Sequence, residues 1–293
     1  MALPSYATPV QRTYYYAYLF FCGVVFFFLI APLIAIIPIS FSVSPFMVFT
    51  DEMLTWPPDP DAWSLRWYKN MIGNCSADVV SSTVPCSNKW MIGTVNSFFI
   101  GFVATFIATT LGTLAALGLS RPHMPYKGLI MAILISPMIV PLIITAAGMF
   151  FFYARINLVY SFTGIILAHV ALATPFVVIT VTATLVGFDM NMVKASQSLG
   201  ARPVRTFFKV IMPLILPGVI SGALFAFITS FDEVVVVMFM ASLDQLTIPK
   251  QMWAGIRQEI SPVILCMATC LVILSILLLT TVELLRRRSE KLR

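Results

Sequence analysis

The chain has 293 residues, of which 59% are hydrophobic and only 10% are charged. This composition leaves too little polar surface to cover a water-soluble globule, so it excludes that class and indicates a polytopic membrane protein. The formal net charge of +6 lies in loops and in the C-terminal tail, which indicates membrane orientation rather than nucleic-acid binding.

Six uncharged runs follow one another along the chain, and each holds at least the roughly 20 residues that a helix needs to cross the hydrocarbon core. The runs lie at about 13–50, 90–120, 128–154, 156–188, 210–231 and 260–282. Helices are expected because backbone polar groups in lipid must be satisfied within the segment, and internal prolines such as Pro137 and Pro175 should kink them. The sequence therefore predicts an all-α integral membrane protein with six transmembrane helices in a single domain, residues 1–293. The first run exceeds the h-region of a signal peptide and should remain as helix one.

Most of the Lys and Arg residues fall on one side of the membrane if the N-terminus lies inside. The residues on that side are Arg12, Arg121, Lys127, Lys194, Arg202, Arg205, Lys209, Arg286, Arg287, Arg288, Lys291 and Arg293. Short loops rich in Lys and Arg stay cytoplasmic, so both termini are predicted to be cytoplasmic. The same topology makes 41–90 an external loop, 188–213 a cytoplasmic loop and 284–293 a basic cytoplasmic tail.

Two cysteines, Cys75 and Cys86, fall together in the predicted external loop. In an oxidising compartment they could form a loop-closing disulfide, with free thiols as the alternative. Neither they nor the cysteines within the apolar runs have the spacing or histidine partners of a metal site, so no metal is expected.

The cytoplasmic loop 188–213 has the signals of a short helix. Asp189 suits an N-cap, Gly200 suits the left-handed position that ends a helix, and Pro203 suits the first turn of the next one. The expected helix, from Met190 to Leu199, offers a small apolar face formed by Met192, Val193, Ala195, Ser196 and Leu199. Cationic residues surround that face: Lys194, Arg202, Arg205 and Lys209. This pattern predicts a protein-docking surface, with a basic loop lying against anionic headgroups as the alternative.

The spacing within this loop also resembles a known motif. Lys194-Ala195-Ser196, Gly200, Val210, Met212 and Pro213 occupy the positions of the EAA loop in permease subunits of binding-protein-dependent ABC importers. The resemblance implies that the loop couples the permease to a separate ATPase. Lys194 stands where the family pattern has an acidic residue, so either an acidic partner residue or simple tolerance is expected there.

Further strings along nearly the whole chain resemble the spermidine and putrescine branch of that family. They are Trp56-Pro57-Pro58, Ser64-Leu65-Arg66-Trp67-Tyr68, Asn96-Ser97, Ala168-His169, Thr174-Pro175-Phe176-Val177 and Ser230-Phe231-Asp232-Glu233. The resemblance implies a type I importer permease fold in a bacterial inner membrane. It also implies four partners: a cytoplasmic ATPase dimer, a second related permease, an external binding protein and the surrounding lipid. The chain has no glycine-rich phosphate loop, so ATP and Mg²⁺ are expected on the ATPase, with no cofactor or catalytic residue here.

Asp232 and Glu233 are the candidate substrate-path residues, together with Ser230. A fifth helix running from about 214 to 241 would place this pair roughly 27 Å from its cytoplasmic start, in the outer half of the bilayer. Carboxylates at that depth usually face protein or a watery cavity. Adjacent helical residues point in different directions, so only one acid should line a pathway, and Asp232 is favoured. The alternative is a structural pair between helices.

Other functions stay open at this point. A permease for an opine, an amino-acid derivative or ferric ion would share the same loop. A stand-alone secondary transporter would show inverted repeats or intramembrane charge rings, which the sequence lacks. A membrane scaffold is the third class. His169, in the middle of a span, is predicted to be a hydrogen-bonded packing residue.

Overall fold

A computed structural model describes residues 8–57, 59–74, 88–121, 123–189, 191–258 and 260–291. The described residues form helices, with one isolated β-bridge between Ser42 and Trp63. Two compact units make up the chain. One comprises Met1–Asn88 with Ala254–Arg293, and the other comprises Lys89–Trp253.

The first unit is built on two long helices. Its helices are α1 (Pro9–Ile39), the short α2 (Asp51–Leu54) and α3 (Arg66–Met71), a 3₁₀ turn at Pro60–Ala62, and α13 (Val263–Lys291). α1 starts with a capping box in which Thr8 and Gln11 satisfy each other's backbone N–H groups. None of its residues is buried. An apolar helix without a buried face suits contact with lipid or with another chain.

The segment after α1 packs as a folded unit. The indole Nε1 of Trp67, a fully buried side chain, donates to the carbonyl oxygen of Ser42 at 2.8 Å. The guanidinium of Arg66 lies 4.3 Å from the centre of the Trp67 ring. The hydroxyls of Tyr68 and Ser40 are 2.7 Å apart. These contacts explain the Ser64–Tyr68 string within the predicted external loop. Cys75 and Cys86 lie outside the described residues, so their pairing stays a prediction.

The second unit contains α4 (Lys89–Leu119), α5 (Lys127–Ile139), α6 (Leu142–Arg155), α7 (Phe162–Val186), α8 (Asn191–Ser198), α9 (Pro203–Thr206), α10 (Met212–Phe231) and α11 (Val235–Met240). A π-helical segment, Phe207–Ile211, joins α9 to α10. α12 (Ile248–Gln258) begins in this unit, which ends at Trp253. The core lies where α4, α7 and α10 pack against one another.

Small residues allow this close packing. Two ladders of small residues, each with a spacing of four positions, are buried: Ala104, Ala108, Gly112 and Ala116 in α4, and Gly218, Gly222 and Ala226 in α10. A Cβ atom on Gly112 would lie 2.7 Å from the Cβ of Val177 in α7. Because lipid gives no hydrophobic drive for helix association, such close contacts are what hold these helices together. These residues therefore mark the packing faces of α4 and α10.

The described helices give four spans by length and composition, or five if one bent pair counts as one. The single spans are α1, α4, α7 and Pro203–Phe231. The bent pair is α5 with α6, at 103°. Pro141 accounts for this bend, since it holds Val140 in an extended conformation that ends α5. The apolar part of α13, Val263–Leu277, is shorter than the single spans. A count of six stays a prediction.

Candidate functional site

The first part of loop 188–213 forms a short helix with a hydrogen-bonding cap near each end. A side-chain oxygen of Asp189 accepts a hydrogen bond from the backbone N–H of Asn191 at 2.9 Å, close to the start of α8. This bond satisfies one of the N–H groups that a helix start leaves without an intrahelical partner. α8 then runs from Asn191 to Ser198, one residue short of the predicted end at Leu199.

Gly200 ends α8 in a Schellman motif. Its φ angle is +76°, and its N–H donates to the carbonyl of Gln197 at 2.9 Å. The N–H of Ala201 donates to the carbonyl of Ser196 at 3.1 Å, which completes the motif. No atom would lie within 4 Å of a Cβ at this position. The backbone conformation, and not the space available, therefore favours glycine here, as predicted.

One side-chain hydrogen bond fixes α8 against the next helix. The hydroxyls of Ser196 and Thr206 are 2.6 Å apart, and Thr206 is buried. Arg202 is extended and Pro203 occupies the first turn of α9, as predicted. The π-helical segment that follows contains Val210 and leads directly into α10, where Met212 and Pro213 form the first turn. The loop is thus a braced structure attached to a long helix.

The outer surface of the loop combines apolar and cationic side chains. Leu199 is 88% exposed, Val204 is 69% exposed and Phe208 is 62% exposed. Lys194, Ala195, Arg202, Arg205 and Lys209 are exposed as well. Val193 and Ser196 are half-buried and face inward, in contrast to the predicted apolar face. Val204 and Phe208 lie outside the predicted face, although their spacing of four residues is a helical signal.

The acidic pair lies at a break between helices. The prediction of one helix from 214 to 241 is wrong, because α10 ends at Phe231 and α11 begins at Val235. Glu233 is only 7% exposed, and its carboxylate accepts a hydrogen bond from the N–H of Val236 at 2.9 Å. The carboxylate thereby supplies a hydrogen-bond acceptor for an N–H group in the first turn of α11, where N–H groups have no intrahelical partner. Asp232, by contrast, is exposed at the end of α10.

Ser230 and His169 form a buried polar pair between α10 and α7. The Oγ of Ser230 lies 2.8 Å from Nδ1 of His169, and both residues are buried. The prediction that His169 is a hydrogen-bonded packing residue is confirmed. Ser230 has the same interhelical contact, and its role in a substrate path stays a prediction.

The connection after α11 is tied to the start of α4, a feature that sequence reasoning missed. The side-chain amide of Asn96 donates to the carbonyls of Asp244 and Leu246, at 2.8 and 2.9 Å. The Oγ of the next residue, Ser97, accepts from the N–H of Ile248 at 2.8 Å. We call these contacts the Asn96–Ser97 clamp. The only sequence signal was the Asn96-Ser97 string itself, because the partners lie far along the chain.

Lys250 closes the same connection from its other end. Its Nζ donates to the carbonyl of Ala241 at 2.8 Å, and partial burial lowers the pKa of the amine. The connection from 241 to 248 is therefore held at several points. No group of three or more residues that could bind a metal occurs among the residues the structure describes.

Comparison with known proteins gives a consistent result. The profile of a family described as "Binding-protein-dependent transport system inner membrane component" matches residues 108–291. The chain is 28% identical over 270 residues to the spermidine/putrescine transport system permease protein PotC of Haemophilus influenzae, covering 92% of this chain and 96% of that one. It is 27% identical over 271 residues to PotC of Escherichia coli K12, covering 92% and 94%.

Two further matches extend this picture. The putrescine transport system permease protein PotI of Escherichia coli K12 is 27% identical over 252 residues, covering 83% of this chain and 81% of that one. Among solved structures, a bacterial ABC transporter involved in the import of the acidic polysaccharide alginate matches with a TM-score of 0.71. That match covers 97% of this chain and 99% of the other at 13% identity, so it shows a shared fold.

Proposed function

We propose that this chain, which belongs to the family of binding-protein-dependent transport system inner membrane components, provides half of the membrane pathway for polyamine import. In this proposal residues 1–293 form one permease domain with six transmembrane helices and both termini in the cytoplasm of a bacterium. A related second permease completes the pathway, an external binding protein delivers the solute, and two cytoplasmic ATPase subunits bind ATP and Mg²⁺. The chain itself contributes no catalytic group or cofactor.

The observation that carries the proposal is the braced loop 188–213. Its Schellman motif and its Ser196–Thr206 hydrogen bond hold α8 and α9 as one piece. Leu199, Val204 and Phe208 expose apolar surface, and exposed apolar patches with polar surroundings are typical of protein-interaction sites. A small, rigid, partly apolar surface suits docking onto an ATPase. Lys194 would meet an acidic residue of that partner or lie in solvent.

Movement of the loop would reach the substrate path through α10. The loop leads into α10 through the π-helical segment without a flexible break, and Asp232 lies just beyond the far end of α10. ATP-driven movement of the docked loop would therefore displace one end of a helix whose other end carries the exposed carboxylate. Coupling between distant sites requires a structural element that can adopt two arrangements, and in this proposal that element is α10 with the attached loop.

The polyamine assignment rests on the relatives and on Asp232. The relatives described above are named as spermidine and putrescine permeases. A polyamine carries several ammonium groups, and an exposed carboxylate would offset the loss of water around one of them. The carboxylate of Glu233 instead accepts a hydrogen bond from an N–H group at the start of α11. Asp232 is accordingly the proposed path residue.

Reconstitution tests the proposal. The chain, its second permease, the ATPase and the binding protein are placed in proteoliposomes, and ATP hydrolysis is measured with polyamines, amino acids, opines and ferric ion. Stimulation by spermidine or putrescine is expected. A response only to ferric ion or to anions would contradict the polyamine assignment.

A matched pair of variants tests docking separately. Leu199→Asp adds a charge to the exposed apolar surface and should abolish ATPase association in a detergent pull-down. Leu243→Asp is the control, because Leu243 is 76% exposed and lies in the other connection, outside the loop. Equal association of both variants would contradict the docking role of loop 188–213.

A further inference from the structure

A cavity of about 740 Å³ lies behind the braced loop, between the loop and the ends of α4 and α7. One side is formed by α4, α7 and the turn that follows α4. The other side is formed by α8, α9 and the π-helical segment. Its volume falls within the range of roughly 300–1,000 Å³ that is typical of small-ligand sites. Neither the proposed ATPase surface nor the proposed substrate path uses this space.

The walls of the cavity are apolar, and its polar rim carries one cation, Arg121. The apolar walls come from the helical core and from the loop alike: Leu117, Leu185, Phe188, Phe207 and Ile211. Arg121 and His123 line the cavity and are exposed, and none of the described lining residues is acidic. The guanidinium of Arg121 has no side-chain hydrogen bond to any part of the chain that the structure describes. The cavity thus offers the Arg121 cation beside an apolar wall.

Its depth in the membrane narrows the choice of ligand. α4 has 31 residues and is therefore about 46 Å long, which exceeds a hydrocarbon core of about 30 Å. The end of α4, with Arg121 two residues beyond it, then lies at the level of the lipid headgroups. A soluble anion would use Arg121 but not the apolar walls. A phospholipid would place its phosphate at the cation and its upper acyl carbons against Leu185 and Phe188, and basic pockets beside transmembrane helices bind anionic headgroups.

We propose that this cavity binds an anionic phospholipid of the cytoplasmic leaflet, which holds loop 188–213 against the core formed by α4 and α7. The inference rests on the proposed cytoplasmic placement of the loop. Phe207 and Ile211 would contact the acyl carbons, and Gln197 of α8 would lie beside the headgroup. The bound lipid bridges the loop to the core and so supports its movement as one piece.

The experiment compares lipid retention by the complete transporter in nanodiscs that contain equal amounts of phosphatidylglycerol and phosphatidylcholine. Lipids that remain bound after transfer to detergent are counted by native mass spectrometry. The test variant is Arg121→Gln. The matched control is Lys127→Gln, because Lys127 is an exposed cation a few residues away that does not line the cavity. Arg121→Gln should lower retention of phosphatidylglycerol about fivefold, whereas Lys127→Gln should not change it.

Two further arms complete the test. Gln197→Trp places a large ring in the cavity and should reduce retention of phosphatidylglycerol without removing a charge. Glycerol 3-phosphate in excess should fail to displace the lipid; displacement would show a site for soluble anions and overturn the proposal. Equal retention by Arg121→Gln and Lys127→Gln would overturn it too. Association of the wild-type complex with its ATPase is measured in parallel, since its absence would contradict the importer function instead.

Discussion

Replacing Gly200 by valine should separate ATPase docking from membrane insertion. Gly200 has a φ of +76°, and a Cβ there would touch nothing within 4 Å. The cost of a side chain is therefore conformational, at about 1–2 kcal/mol for an ordinary L-residue in the left-handed region and more for a β-branched one. A cost of 1–2 kcal/mol lowers the ratio of the braced loop to its alternatives roughly 5- to 30-fold. Transport and ATPase pull-down should fall by up to that factor, with normal amounts of chain in the membrane.

Gly200→Asn provides the matched control, because asparagine adopts the left-handed region far more readily than valine does. The asparagine variant should transport at a rate close to wild type, and an alanine variant should lie between the two. Polyamine uptake and ATP hydrolysis are measured in the same proteoliposomes. Wild-type uptake by Gly200→Val would refute the proposal that the Schellman motif positions the loop. Equal loss in the valine and asparagine variants would show that any side chain obstructs docking.

Asp232→Asn should raise the polyamine concentration needed for half-maximal uptake. Glu233→Gln should transport normally, because its amide oxygen can still accept a hydrogen bond from the N–H of Val236. Normal uptake by both variants would show that the acidic pair is structural. Asn96→Ala should destabilise the purified protein by about 1–3 kcal/mol, since the carbonyls of Asp244 and Leu246 lose their donor and the bond to Leu246 is buried. An unchanged unfolding temperature would contradict a stabilising Asn96–Ser97 clamp. Gly112→Ala should destabilise by about 1–3 kcal/mol, because the added Cβ meets Val177 at 2.7 Å. Gly118→Ala, with open space on the same helix, should not.

Features that depend on neighbours in sequence could be predicted. The ends of α8 are an example, because Asp189, Gly200 and Pro203 each act on backbone groups within a few residues. The small-residue ladders of α4 and α10 are another, since a spacing of four residues places them on one helix face. The bend between α5 and α6 was expected only as a kink. The prolines indicate where the chain bends, and the size of the bend, 103°, is seen only in the folded structure.

Features that depend on distant residues or on the absence of a strong signal could not be predicted. Residues 234–240 are apolar and include no glycine or proline, the residues that most often interrupt a helix. The sequence therefore favours a continuous helix across Asp232 and Glu233. Asn96 and its backbone partners are 148 and 150 residues apart, and a single sequence gives no indication of such pairs. The sequence shows the cationic residues near loop 188–213. The cavity lined by Arg121 and Phe207 forms only when the loop folds against the core, so the sequence does not indicate it.

The break after Asp232 gives the proposed coupling its geometry. α10 has 20 residues, so it carries movement over about 30 Å from the loop to Asp232. Beyond the break, α11 is capped by Glu233 and the following connection is held by the Asn96–Ser97 clamp. In the proposed coupling, Asp232 therefore ends the helix that transmits the movement, and Glu233 belongs to the segment that the Asn96–Ser97 clamp holds. Displacement of loop 188–213 would then change the orientation of the Asp232 side chain relative to that of Glu233, which a continuous helix through both residues would prevent.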